Sequence, residues 1–272
     1  MRVLACFSGG GVKALAHLGA YRALGEAGLE PAQYVATSFG SVIAAALAAG
    51  ATYETLVSGT VAMRGKDVAP PERFAVFKGV FTDHLINPGP LRETIRRLVP
   101  ARRWEDLRVP VTVTVVDLDS GALVLCGTGH PKARTDIPLH DALYASCALP
   151  LYYPPLVLDG HRYAEGGLRA VLPLEAARGI AADLVVAVHV GPGFDETAPP
   201  GAPAAIPALV RAYGDTVRIL MAGQTEQVIA AWPKDAARLV VVRPVHEKEA
   251  TFAAEHAARY LEAGYEMTKA AL

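Results

Sequence analysis

Apolar residues along the chain fall into two rhythms. Short, nearly uninterrupted runs at Val3 to Phe7, Leu184 to Val190 and Leu239 to Val242 have strand length and abundant β-branched side chains, the pattern of strands covered on both faces. Gln33 to Thr37 reads as extended too. Elsewhere apolar positions recur every three or four residues, as in Val12 to Ala27, which closes on Gly28, and Val42 to Ala49, which closes on Gly50. The order strand, glycine loop (Ser8 to Gly11), helix therefore opens the chain, and strand, Ser38, helix repeats it. Alternation of this kind predicts a parallel sheet with helices on both faces.

The remaining pattern adds helices at Thr52 to Met63, Leu91 to Val99 with Pro90 at its start, Ala208 to Ala231 and Glu247 to Ala271. Two hairpins are expected. Val111 to Val116 pairs with Leu123 to Cys126 across DLDSG, and Leu156 to Leu158 pairs with Arg162 to Ala164 across DGH, where Asp159 and Gly160 suit a tight turn. Residues 64–90 show no clean period and read as an irregular excursion. Residues 191–207, GPGFDETAPPGAPAAIP, are too rich in Pro and Gly for an ordinary connection and read as a linker or a lid; both segments are candidates for the rim of a pocket.

Composition narrows the class. The 272 residues suit one large α/β domain, and no compositional shift or internal repeat divides residues 1–272. With 52% apolar and 19% charged residues the chain has ample material for a core, and a net charge of -1 gives no electrostatic case for a nucleic-acid partner. Cys6, Cys126 and Cys147 lack metal-ligand spacing and read as reduced core residues of a cytoplasmic protein. The longest low-polarity stretch, Val42 to Ala51, falls far short of the ~20 apolar residues of a spanning helix, so no transmembrane segment is expected.

Candidate chemistry begins in the glycine loop. FSGGGVKA, residues 7–14, fits G-x-G-x-x-A, which a dinucleotide-binding fold also places between its first strand and helix. That mechanism asks for an acidic residue at the end of the second strand, where Ser38 stands instead. A kinase-type phosphate loop fails as well, because Lys13 is followed by Ala14 and not by Ser or Thr. Glycines at a helix start also leave backbone N–H groups free to face an oxyanion, or they simply permit a tight turn.

Ser38 lies in ATSFG, one residue away from the G-x-S-x-G of a nucleophile elbow, with Ala36 and Gly40 as the small flanking residues. A serine at a helix start is commonly an N-cap, but a cap has no need of small neighbours on both sides. In a parallel sheet the loops after adjacent strands open on one edge, so Ser38 and the glycine loop are expected to share a crevice.

A third stretch joins these two. FSGGGVKALAHLGAYRAL, ATSFGS and YAEGGLRAVLPLEAA together resemble the patatin-like phospholipase family, and VVDLDSG and ASCALPLYYPPLVLDG resemble its intervening segments, so the likeness spans residues 3 to 191. The resemblance implies a three-layer α/β/α fold with a mainly parallel central sheet. It also implies a serine–carboxylate dyad, without a catalytic histidine, that hydrolyses acyl esters of lipids. Carried over, Ser38 is the nucleophile, Glu165 the dyad acid, and Gly9, Gly10 and Gly11 the oxyanion hole. Lys13, Phe39, Gly40, Gly166 and Gly167 are supporting residues, with Lys13 expected to brace the loop. Neither a metal nor an organic cofactor is implied; the expected partner is a lipid or other acyl ester, with transient contact at a membrane surface.

Three residues depart from the family pattern: Ala36 for the first elbow glycine, Ala14 for a glycine after the basic residue, and Glu165 for aspartate. The added methylene of Glu165 displaces the carboxylate by more than an ångström unless backbone or rotamer compensates, and misplacement on that scale costs ~10²-fold in rate. The sequence thus supports a hydrolase and, as an alternative, a catalytically attenuated lipid-binding protein of the same fold. Other acid and base candidates have simpler roles: Asp159 in a tight turn, Asp117 and Asp119 flanking another, His17 and His189 in packing and hydrogen bonding.

Overall fold

The computed structural model describes residues 1–61, 84–197, 207–247 and 256–272. Eight strands, β1 (Val3–Phe7), β2 (Pro31–Thr37), β3 (Val111–Asp117), β4 (Leu123–Gly127), β5 (Leu156–Leu158), β6 (His161–Glu165), β7 (Leu184–Val188) and β8 (Arg238–Val242), form one mixed sheet. The pairs β1–β2, β1–β7, β2–β3 and β7–β8 are parallel; β3–β4, β3–β6 and β5–β6 are antiparallel.

Strand alternation sorts side chains to two faces. Val3, Ala5 and Phe7 of β1 enter the larger core with Tyr34 and Ala36 of β2, while Leu4 and Cys6 enter a second core with Val35, Leu172 and Leu174. The larger core is closed by α1 (Ala16–Glu26), α2 (Phe39–Ala48), α3 (Tyr53–Val61), α4 (Pro88–Leu98), α5 (Leu139–Cys147) and α9 (Ala257–Ala271). The opposite face carries α6 (Gly167–Ala170), α7 (Leu174–Ala177) and α8 (Ala208–Ala230). This is the expected three-layer arrangement.

β3 positions the site. Thr114 of β3 pairs with Thr37 of β2, and the next residue, Val115, pairs with Glu165 of β6. Since β4 pairs with β3 over Thr112 to Val116, β2 and β6 must share the opposite edge, one taking over where the other leaves. The residue after Thr37 is Ser38.

Several boundaries differ from the sequence pattern for physical reasons. The first helix begins as a 3₁₀ turn, Gly11–Leu15, because Gly11 at φ 58 forces a tight entry. α4 starts at Pro88 and not at Pro90, with Asn87 Oδ1 accepting the Gly89 N–H at 2.9 Å as its cap. Glu247 does not open the last helix: it forms an isolated bridge with Thr197. The tight turn at Asp159 (φ 50) and Gly160 (φ 81) is present, and Asp117 and Asp119 serve the other hairpin, where Asp117 accepts from the Asp119 amide and the Ser120 hydroxyl and Asp119 pairs with Arg162. Residues 64–83 of the irregular excursion and 198–206 of the Pro/Gly segment lie outside the described residues.

Candidate active site

β2 delivers Ser38 in a backbone conformation, φ 55 and ψ −140, that side-chain-bearing residues seldom adopt. Its peptide groups are held at both ends: the N–H donates to Ser146 Oγ at 2.7 Å, and the carbonyl accepts from the Ser41 hydroxyl at 2.6 Å and the Ser41 N–H at 2.9 Å. Gly40 is needed by close approach, since a β-carbon there would lie 2.3 Å from the Ser8 carbonyl oxygen. Ala36 is fully buried in the larger core, so its methyl finds a place that the elbow pattern reserves for glycine. Ser38 stands at the N-cap position of α2, yet its hydroxyl caps nothing. It donates instead to Glu165 Oε2 at 2.8 Å.

The carboxylate therefore reaches the serine. Glu165 lies one residue beyond Thr37 along β3, and from that register its longer side chain is within hydrogen-bond reach of Ser38. The other oxygen, Oε1, accepts the Gly167 N–H at 3.0 Å, and the Glu165 N–H donates to the Ala148 carbonyl at 3.1 Å. Burial pushes the Glu165 carboxyl up to about 8, opposed by the hydrogen bonds from Gly167 and Ser38. Gly166 lies against Thr114, whose carbonyl oxygen would be 2.3 Å from an added β-carbon.

The glycine loop lies over the serine, and its amides are not equivalent. Gly9 donates its N–H to the Val171 carbonyl at 3.0 Å, which removes it from the three donors expected for an oxyanion. Among the described residues no acceptor pairs with the amides of Gly10 or Gly11, and both glycines line the cavity beside Ser38. Gly9 serves by being small: a β-carbon there would come within 3.0 Å of Ser38 Cβ. Lys13, almost fully buried, donates to Glu196 Oε1 at 3.3 Å and to the Glu247 carbonyl at 3.1 Å. Burial holds its pKa below the ordinary lysine value while Glu196 opposes that shift. Lys13 thus ties the glycine loop to residues 191–197, and Arg218 approaches the same Glu196 at 3.6 Å.

Ser38, Glu165 and the glycines open into a cavity of about 330 Å³. Its walls are largely apolar, with Phe39, Leu149, Tyr152 and Tyr153 on one side and Val210, Val217 and Met221 of α8 on another. Pro192 and Glu196 bring part of the Pro/Gly segment into the lining; of the other segment expected near the pocket, residues 84–90 are absent from the described lining. No histidine is among the described lining residues. His17 stacks on Phe7 with Nε2 2.9 Å from the Ser8 carbonyl, and His189 is buried beside the loop. All three cysteines are free and buried, but Cys147 also lines the cavity, a position its sequence context does not reveal. Ser146 and the α8 wall were likewise not singled out from sequence. The segment ASCALP carries Ser146 and Cys147, but nothing in its spacing says which side chain turns toward Ser38.

Comparison with known proteins gives the family of the chain. The family model described as Patatin-like phospholipase matches residues 5–178. An NTE family protein of Mycobacterium bovis is 28% identical over 195 residues, which make up 70% of this chain and 49% of that protein. Patatin-like phospholipase domain-containing protein 7 of Rattus norvegicus is 29% identical over 197 residues, 70% of this chain and 13% of that protein. The chain thus spans about half the length of the first relative and a small part of the second. Among solved structures, VipD from Legionella pneumophila aligns with a TM-score of 0.48 and 14% identity, covering 98% of this chain and 66% of that one. The family model takes in more than half of the sequence, and the chain belongs to the patatin-like phospholipase family.

Proposed function

We propose that this chain is a serine acyl hydrolase that cleaves carboxylic ester bonds of lipids through a Ser38–Glu165 dyad. The observation that carries the reading is the 2.8 Å hydrogen bond from the Ser38 hydroxyl to a buried carboxylate, made from a strained elbow at the floor of an apolar cavity. Ser38 Oγ attacks the ester carbonyl carbon as its proton passes to Glu165, and the resulting oxyanion faces the amides of Gly10 and Gly11. Collapse expels the alcohol, which takes the proton from Glu165 and leaves an acyl-serine. Water then attacks that acyl group, giving a proton to Glu165, and collapse releases the fatty acid as Glu165 returns that proton to the departing Ser38 Oγ. A carboxylate is ordinarily a weak base near neutrality; burial that pushes Glu165 up to about 8 makes it a stronger acceptor where it is ionised.

The apolar walls favour an acyl chain, and the surroundings favour delivery from a lipid surface. Leu209, Ile219 and Leu220 of α8 are exposed, on the helix whose other side lines the cavity, and exposed Phe194 lies on the adjoining 191–197 segment. Among the described residues no helix is long and apolar enough to cross a membrane, so the contact proposed is peripheral. Hydrolysis of p-nitrophenyl esters of increasing acyl length by the parent, Ser38→Ala and Glu165→Gln chains tests the reading. Turnover in the parent and loss of ~10³-fold or more in both variants supports it. Tight binding of a fatty acyl ligand with no turnover by the parent favours the attenuated lipid-binding protein.

A further inference from the structure

Outside the dyad, three consecutive residues at the end of α5 touch both of its members. Ser146 Oγ accepts the Ser38 N–H at 2.7 Å, the Cys147 side chain lines the cavity beside Ser38, and the Ala148 carbonyl accepts the Glu165 N–H at 3.1 Å. Ser146 and Ala148 are fully buried, so no solvent molecule competes for these bonds. We propose that Ser146 is a positioning residue for the reaction, holding the Ser38 amide so that the strained elbow keeps its hydroxyl on the Glu165 carboxylate. The proposal rests on the dyad reading given above.

The geometry explains why such a residue is needed. Ser38 follows β2 and Glu165 ends β6, two strands that do not pair with each other, and β3 fixes only where each strand ends. Register alone does not hold a residue at φ 55 and ψ −140, a conformation that persists only where surrounding bonds over-determine it. Ser41 holds the carbonyl side of Ser38 and Ser146 the amide side. Without an acceptor at position 146 the Ser38 N–H is buried and unpaired, and rotation of that peptide carries Oγ off the carboxylate. Two residues on from Ser146, the Ala148 carbonyl holds the Glu165 N–H, so the end of α5 is bonded to the backbone of both reacting residues.

The test compares Ser146→Ala, which removes the acceptor, with Ser146→Cys, which keeps the shape but accepts weakly. Each full-length variant is assayed for kcat and KM on a short-chain p-nitrophenyl ester, with active sites counted by a fluorophosphonate, and for Tm. Loss of kcat per labelled site of about 10–100-fold in Ser146→Ala, an intermediate loss in Ser146→Cys, and KM within about 2-fold of the parent in both are expected. Unchanged kcat per labelled site, with only Tm or the labelled fraction reduced, overturns the positioning role. If Ser146→Ala does not fold, Ser146→Cys decides by the same criterion. A parent chain that neither turns over nor labels sinks the dyad reading itself, and the positioning role with it.

Discussion

The hydroxyl of Ser38 and the carboxylate of Glu165 meet at 2.8 Å although β2 and β6 never pair with each other. Their common neighbour is β3, where Thr37 stands opposite Thr114 and Glu165 opposite Val115. The reach of the glutamate is thus matched to its register.

That match predicts the behaviour of the shorter acid. Glu165→Asp restores the usual family residue but withdraws the carboxylate from a serine it already touches. We expect kcat to fall by ~10²-fold, with a smaller change in KM, as measured on a short-chain ester. A rise in turnover would mean that the natural glutamate is the misfit.

The proposed role of Glu165 also predicts a pH dependence. Glu165 is pushed from 4.5 up to about 8 by burial, so the proton acceptor is populated on the alkaline side and kcat/KM should climb with pH through about 8. The stability effect has the opposite sign. The folded state holds this proton more tightly than the unfolded chain, so the contribution of the group is fully present below about 4.5 and is lost as pH rises through about 8. Glu165→Gln should therefore melt at a higher temperature than the parent at pH 9 while being inactive; pH-resolved calorimetry and initial rates check both.

Steric demands at the elbow predict a different failure. A β-carbon at Gly40 would lie 2.3 Å from the Ser8 carbonyl, and one at Gly10 would lie 2.6 Å from the Val190 carbonyl. Neither neighbour is the far end of a flexible side chain. Gly40→Ala should cost about 2–3 kcal/mol of stability, read by urea denaturation, because backbone must shift in a packed region. Gly10→Ala, which also displaces a cavity-facing amide, should lower kcat by ~10²-fold or more.

Lys13 and Glu196 form a buried ion pair, with side chains 4% and 3% exposed. Removing one partner strands the other charge, so Lys13→Met or Glu196→Gln alone should cost about 3 kcal/mol. The double variant should recover part of that loss, and a denaturation cycle over the four chains measures the difference.

What was legible in the sequence was local. The strand-loop-helix opening, the elbow and the glycine loop follow from spacing within short windows, and family likeness at YAEGGLRAVLPLEAA located Glu165. What was not legible depends on contacts between distant segments. Occupation of the Gly9 amide requires Val171, and the fit of the longer acid requires the register of β3. Ser146 becomes visible only when α5, short and without a side-chain cap, is brought against Ser38. Pro90 reads as a helix start from sequence, but the Asn87 cap makes Pro88 the first helical residue.

The most direct test of the central claim is to identify the atom that carries the acyl group. Rapid quenching of the parent chain during turnover of a fatty acyl ester, followed by peptide mass mapping, should find the acyl adduct on Ser38, with its formation slowed ~10³-fold in Glu165→Gln. An adduct on another residue, or one that forms on Ser38 as fast without the carboxylate as with it, would contradict the account.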